Sequence, residues 1–236
     1  METDIDAAAR RARGYLFVDG FAEMAAGVVF VLMGSVMLLG GLIPGESLLT
    51  QVVAAGLGIL IVKAIGLLAA ALAIWWLKDR FTYPRTGYVR HKRIRLSQIL
   101  SLVRNAFLVL ALPLLALAAA FALVPSLRGA VASVPVWVPA LVGIVWGAPC
   151  YWLGEWVGLR RFRLLGLVTF VLGIVVGGAL LLTGWSASGD AGQILGRTFV
   201  GVGLLTVTCG AAFLLSGLVT FLRYRKENPL PYGQEP

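Results

Sequence analysis

The sequence predicts an all-α integral membrane protein, a polytopic helical bundle of about six transmembrane helices with cytoplasmic N- and C-termini. Hydrophobic residues make up 59% of the 236 residues and charged residues only 13%, whereas soluble domains have about 45–50% and 25%. The mean hydropathy is +0.91. Several apolar runs reach the ~20 residues that a helix needs to cross a hydrocarbon core. Composition and run length together exclude an ordinary soluble domain.

Six apolar runs, separated by polar or Pro- and Gly-containing intervals, define the predicted spans. We expect the spans at residues 22–43, 52–77, 99 or 105–124, 135–152, 164–183 and 194–222. The chain then divides into an amphipathic segment 1–21, a hairpin 22–77, a basic loop 78–104, a second pair of spans 105–152, a short basic loop 153–163, a further hairpin 164–222 and a tail 223–236. The first run is long and lacks a small-residue cleavage site, so we expect it to be retained.

The basic loop 78–104 sets the predicted orientation. It holds eight Lys and Arg residues against a single acid, Asp79. With the N-terminus inside, the inner segments contain 17 Lys and Arg residues and the outer segments two. Because cytoplasmic loops are enriched in Lys and Arg, we place both termini inside a bacterial-type cytoplasmic membrane. Aromatic residues flank a turn at residues 84–87, which predicts a small β-hairpin or a tight loop there.

Lys63 is the one charged residue near the middle of a predicted span. A charge at this depth costs ~2.5–3.5 kcal/mol on the insertion scale, and such residues are candidates for function. Ser35, Thr206 and Thr208 lie at a similar depth. Three interpretations stay open: a structural lysine bonded to carbonyls or reaching outward, an interface with another protein or lipid, and a substrate or ion site.

The basic loop has two functional interpretations beside orientation alone. Its bases either bind anionic lipid headgroups, at ~1 kcal/mol each near a charged surface, or dock a cytoplasmic protein partner. The candidate residues are Arg80, Tyr83, Arg85, Tyr88, Arg90, Lys92, Arg93 and Arg95. No nucleic-acid-binding motif is present, so we expect no nucleic acid partner.

Three acids lie at the predicted inner boundary. Asp19 and Glu23 are four residues apart and therefore share a helix face, and Glu155 ends the fourth span. We expect these acids to pair with loop arginines and to fix the inner surface of the bundle. A competing hypothesis uses paired carboxylates as acid and base.

Several chemistries lack their residues. The sequence has no HExxH, GxSxG or Walker A motif, and its one histidine, His91, lies in the basic loop. We therefore predict no catalytic residues, no metal site and no cofactor. No acid lies deep in a span, which argues against an ion-coupled carrier.

The leading functional hypothesis is a non-enzymatic accessory or scaffolding subunit. Its basic cytoplasmic face would bind a protein partner or anionic lipid at the bilayer surface. One alternative is a transporter or channel for a small solute or lipid that uses Lys63. Another is a membrane enzyme that acts on a lipid at the inner interface with Glu23 or Glu155. Glycine-rich spans let helices approach closely, so oligomerisation also stays open.

Overall fold

The computed structural model describes residues 14, 17–42, 48–86, 137–183 and 191–229. Every regular element in these ranges is a helix. The α-helices are α1 (Phe21–Leu42), α2 (Leu48–Leu77), α3 (Tyr83–Thr86), α4 (Val138–Val157), α5 (Arg160–Leu182) and α6 (Ala191–Glu227). The prediction of an all-α, membrane-type bundle is confirmed.

Four described helices are long and apolar enough to cross a membrane. They are α1, the segment Gly56–Arg85 that contains most of α2, α5, and the segment Gly196–Glu227 of α6. At 1.5 Å per residue, each exceeds the ~30 Å of a hydrocarbon core. Helix α4 has 20 residues but carries several Trp, Tyr and Pro residues, and it is not one of the four. The predicted third span, 105–124, lies outside the described residues.

Helix α2 extends beyond the predicted start of the basic loop. Residues Lys78–Thr82 form a π-helical turn, and α3 follows directly. The predicted β-hairpin or tight loop is therefore wrong for residues 78–86, which are helical. The rest of the predicted basic loop lies outside the described residues. Pro84 occupies the second residue of α3, a position near a helix start that tolerates proline. The Phe81 ring packs near Phe221 of α6, with centroids 6.0 Å apart, and this contact holds the extension on the bundle.

Helices α1 and α6 form an antiparallel pair in backbone contact. Glycine recurs at every seventh residue of both segments, and the facing pairs are Gly20–Gly217, Gly27–Gly210, Gly34–Gly203 and Gly41–Gly196. A Cβ added at Gly27 would lie 2.8 Å from the Gly210 carbonyl oxygen. No side chain larger than hydrogen leaves room for this approach, as in other close helix pairs in membranes. Helices α4 and α5 make a similar antiparallel contact through Gly143 and Gly173.

These contacts bring the starts of α1 and α5 and the ends of α2, α4 and α6 to one end of the bundle. We call it the basic end, because it carries nearly all of the described Lys and Arg residues. They are Lys78, Arg80, Arg85, Arg160, Arg161, Arg163, Arg223, Arg225 and Lys226. Among the described residues, the opposite end carries Arg197, and Lys63 lies within α2.

Candidate functional site

A buried carboxylate joins three helices at the basic end. Glu23 lies in the first turn of α1, and its side chain is fully buried. Its Oε1 lies 2.6 Å from Arg161 Nε at the start of α5. Its Oε2 accepts a hydrogen bond of 3.0 Å from the Ser216 hydroxyl of α6. Arg161 also donates to the Thr220 hydroxyl at 3.3 Å and to the Phe17 carbonyl. We call Glu23, Arg161, Ser216 and Thr220 the Glu23 cluster; it confirms the predicted pairing of Glu23 with an arginine.

Asp19 makes a second buried connection, directly before α1. Its Oδ1 accepts a hydrogen bond from the Phe21 backbone N–H at 3.2 Å, which satisfies an N–H group at the helix start. Its Oδ2 lies 3.2 Å from Lys78 Nζ and accepts from the Thr82 hydroxyl at 3.0 Å. The expected arginine partner is therefore a lysine. This contact ties the end of α2 to the start of α1.

Glu155 forms a separate, solvent-exposed pair. Its Oε1 lies 3.0 Å from Arg163 Nη1 across the turn between α4 and α5. The predicted pairing with an arginine is confirmed here too. Because both side chains are substantially exposed, the pair contributes little to stability. Glu155 is not part of the Glu23 cluster, so the two acids do not form one acid–base pair.

The polar residues predicted near mid-membrane do not form a joint site. The hydroxyls of Ser35, Thr206 and Thr208 each donate to the carbonyl four residues earlier in their own helix, at 2.8, 2.6 and 2.8 Å. Hydroxyls in helices commonly bond in this way. Lys63 is half-buried, and no hydrogen bond or ion pair joins it to another described residue. Its function therefore stays a prediction.

Three of the eight predicted docking residues lie in the described part of the chain. Arg80 is exposed and Tyr83 is half-buried. Arg85 Nη1 donates to the Asn228 carbonyl at 2.8 Å, which joins α3 to the end of α6. The other five, Tyr88, Arg90, Lys92, Arg93 and Arg95, lie outside the described residues. Docking through this loop stays a prediction.

A groove of about 370 Å³ runs between the start of α5 and the second half of α6. We call it the arginine groove; it is lined by Arg161, Leu215, Ser216, Val219, Thr220 and Arg223. Leu215 and Val219 are 63% and 57% exposed and form an apolar outer surface. The sequence analysis counted Arg161 and Arg223 only toward orientation. The spacing of Ser216, Thr220 and Arg223, four and three residues apart, is the signal it missed, because such residues share one helix face.

A second cavity, of about 280 Å³, lies between α1, α4, α5 and α6. We call it the aromatic cavity, after the five rings in its wall: Phe17, Phe30, Trp146, Phe162 and Phe213. Phe30 stacks on Trp146 with centroids 4.9 Å apart and meets Phe213 edge-on at 5.5 Å. The Glu23 cluster lies between the two cavities, because Arg161 lines the groove and its partner Glu23 lines the aromatic cavity.

Within the described ranges, no group of three or more His, Cys, Asp or Glu residues could hold a metal ion. No protein-family model, curated protein or solved structure matches the chain. The two cavities and the Glu23 cluster between them are therefore the features from which a function can be argued.

Proposed function

We propose that this protein is a non-enzymatic membrane protein that binds an anionic lipid headgroup in the arginine groove. The observation that supports this proposal is the position of Arg161 and Arg223 in one groove, beside two hydroxyl side chains and an exposed apolar surface. Arginine presents a planar set of N–H donors that matches a phosphate group. Arg223 would supply most of these donors, because Arg161 is already paired with Glu23 and donates to Thr220 and Phe17. The exposed apolar residues would face the lipid chains. An anionic phospholipid has both a phosphate for the arginine and acyl chains for the apolar surface.

We further propose that the chain crosses the membrane six times, with the basic end in the cytoplasm. The concentration of Lys and Arg at the basic end supports this orientation. The positions of Thr86 and Trp137 support the count: Thr86 lies at the basic end and Trp137 at the opposite end, so the chain between them must cross the membrane an odd number of times. The groove would then face the cytoplasmic leaflet, where anionic lipids attract basic residues.

The same geometry favours binding over the two alternatives. Both carboxylate oxygens of Glu23 are engaged by neighbours, and the side chain is fully buried. Although Glu23 lines the aromatic cavity, its carboxylate is ion-paired with Arg161 and accepts from Ser216, which favours a structural role over proton transfer. Lys63 lines neither the arginine groove nor the aromatic cavity, so neither cavity supports a transport path that uses it.

The test compares Arg223→Gln with Arg225→Gln in the purified full-length chain. Both changes remove one positive charge from the end of α6, but the two positions are about 200° apart around the helix. Only Arg223 lines the groove. Loss of one contact of ~1 kcal/mol should weaken binding to phosphatidylglycerol about five-fold in Arg223→Gln. Binding is measured in phosphatidylcholine nanodiscs by titration with phosphatidylglycerol.

The control variant, Arg225→Gln, should bind phosphatidylglycerol as the unaltered protein does. Equal losses in the two variants would show a diffuse attraction to the whole basic end instead of a site. Unchanged binding in Arg223→Gln would rule the groove out. Capture of a stoichiometric protein that Arg223→Gln abolishes, without any change in lipid binding, would favour the docking of a partner instead.

A further inference from the structure

The aromatic cavity has almost no hydrogen-bonding capacity left in its wall. Glu23 Oε2 accepts from Ser216, whereas Oε1 is ion-paired with Arg161 Nε at 2.6 Å without an aligned hydrogen bond. The Thr169 hydroxyl donates to the Leu165 carbonyl at 2.8 Å, and the Cys150 thiol donates to the Phe162 carbonyl at 3.4 Å. Among the polar side chains of the described wall, this leaves the indole N–H of Trp146 and Glu23 Oε1, whose charge is balanced by Arg161. A polar solute would lose its bonds to water here without replacement, which is unfavourable. The occupant must be apolar.

The wall residues of the cavity extend along the axis of α1. Its wall on α1 extends from Ala22 to Phe30, which is ~12 Å along the helix axis at 1.5 Å per residue. Over that length, a volume of about 280 Å³ gives a mean width of roughly 5 Å. Engineered apolar cavities of about 150 Å³ already bind benzene, so this cavity has room for a longer apolar group. Its shape suits one extended hydrocarbon chain.

The aromatic cavity and the arginine groove are close enough for one lipid to occupy both. Arg161 lines the groove, and the next residue, Phe162, lines the cavity. The guanidinium carbon of Arg161 lies 5.7 Å from the centroid of the Phe162 ring. A lipid whose phosphate binds Arg223 in this groove would therefore have the apolar cavity near its own acyl chains.

We propose that the aromatic cavity holds one acyl chain of the anionic lipid whose headgroup binds in the arginine groove. This inference rests on the proposed function for the headgroup but depends on different residues for the chain. The bound lipid would contact four helices, α1, α4, α5 and α6. It would differ in this way from lipids that only surround the outer surface of the bundle.

The test locates the acyl chain by photo-crosslinking. The full-length protein is placed in phosphatidylcholine nanodiscs with phosphatidylglycerol that carries a diazirine in the middle of one acyl chain, and adducts are mapped by mass spectrometry. We expect adducts on wall residues such as Phe30, Trp146 and Phe213. Ala26→Phe fills the cavity and should lower these adducts at least five-fold. The matched control is Ala211→Phe on an exposed position of α6, which should leave them unchanged.

A second variant, Ala22→Phe, also lies in the wall and replaces Ala26→Phe if that protein does not fold. Arg223→Gln should lower the wall adducts about five-fold, because the same lipid occupies both places. Adducts confined to outward residues such as Leu222, and equal in Ala26→Phe, would overturn the chain site while the headgroup titration with Arg223→Gln stands. Wall adducts that Arg223→Gln does not lower would overturn the assignment of both places to one lipid. If Arg223→Gln also binds phosphatidylglycerol as tightly as the unaltered protein in the headgroup titration, the headgroup site fails as well.

Discussion

Helix α1 packs against two neighbours in two different ways. Against α6 it makes backbone contact: a Cβ at Gly34 would lie 2.7 Å from the Val207 backbone nitrogen. Against α2 it makes side-chain contact: the three atoms nearest to a Cβ at Gly66 would all belong to the Val29 side chain, the nearest at 3.2 Å. A Cβ at Gly56 of α2 would meet no atom of the described residues within 4 Å. Glycines of similar appearance in the sequence therefore have different packing roles.

The difference between the two contacts decides where a site can form. In the most apolar window of α6, 44% of the residues are buried within the described bundle, against 6% for the helix that contains α2. The close α1–α6 pair holds Glu23 of α1 opposite Ser216 of α6 in a fixed register. We infer that the Glu23 cluster depends on this pair and not on α2. Three substitutions test this inference.

The largest effect is expected from Glu23→Gln. The change keeps the shape of the side chain but leaves the Arg161 guanidinium without its buried carboxylate partner. Breaking a buried ion pair by removing one partner costs about 3–5 kcal/mol, and we expect about 3 kcal/mol because Arg161 is 25% exposed. The free energy of unfolding is measured by denaturant titration in detergent micelles.

The double variant Glu23→Gln/Arg161→Gln provides the control. It removes both charges, so no uncompensated charge remains buried, and it should be more stable than Glu23→Gln alone. The single variant Arg161→Gln completes the comparison. If the double variant loses as much stability as Glu23→Gln and Arg161→Gln added together, the two side chains are not coupled. The Glu23 cluster would then not be what joins α1, α5 and α6.

The sequence predicted α1 within one residue at each end and the other long helices less closely, and it did not predict how the helices pair. Apolar run length located α1 and α5 closely, because a spanning helix requires about 20 apolar residues. The glycines of α1 and α6 recur every seven residues, which marks one face of each helix. That spacing was open to sequence reasoning. The partner of each face was not, because a glycine contact involves backbone atoms that are the same in every helix.

The candidate site was predictable only in part. The sequence analysis correctly expected Asp19 and Glu23 to meet basic residues, but it did not predict their burial, and Asp19 lies directly before α1 instead of on its face. The choice of Arg161 over other arginines could not be predicted, because it depends on the distance between α1 and α5. The two cavities were missed for a similar reason: they result from how four helices diverge, and no run of neighbouring residues encodes that.

A smaller effect is expected from Gly34→Ala, compared with Gly56→Ala. The new methyl group at Gly34 would collide with the α6 backbone at 2.7–2.8 Å, so the helices must separate. Overpacking of this kind costs about 1–3 kcal/mol. At Gly56 there is open space within the described bundle, and alanine favours a helix over glycine by about 1 kcal/mol. We expect Gly34→Ala to be destabilised by about 2 kcal/mol and Gly56→Ala not to be destabilised.

Thermal unfolding followed by tryptophan fluorescence in matched detergent compares the two glycine variants. Equal destabilisation would show that α2 packs as closely as α6. An unaffected Gly34→Ala would show that the α1–α6 pair tolerates separation, and the register of the Glu23 cluster would then need another cause.

The smallest effect is expected from Asp19→Asn, at the contact between α1 and the end of α2. The asparagine oxygen can still accept from the Phe21 N–H, and its amide group can donate to the Thr82 hydroxyl in a reversed bond, but the negative charge that faces Lys78 is lost. Although the pair is buried, Lys78 lies at the end of α2, where local opening can expose it to water, and it has further contacts, so we expect a global loss of only about 1 kcal/mol. Local opening involves weakly packed segments first. Amide hydrogen exchange should therefore speed up in residues 78–86 and stay unchanged in α1 and α6.

Glu155→Gln is the matched control for Asp19→Asn, because it removes one carboxylate charge from an exposed pair and should leave exchange unchanged throughout. Faster exchange in α1 and α6 as well as in residues 78–86 would contradict the distinction between the two contacts of α1. It would mean that the end of α2 stabilises the whole bundle. Faster exchange in residues 78–86 alone would show that the end of α2 opens separately from the α1–α6 pair that positions Glu23. The arginine groove and the aromatic cavity would then keep their shape when α2 loosens.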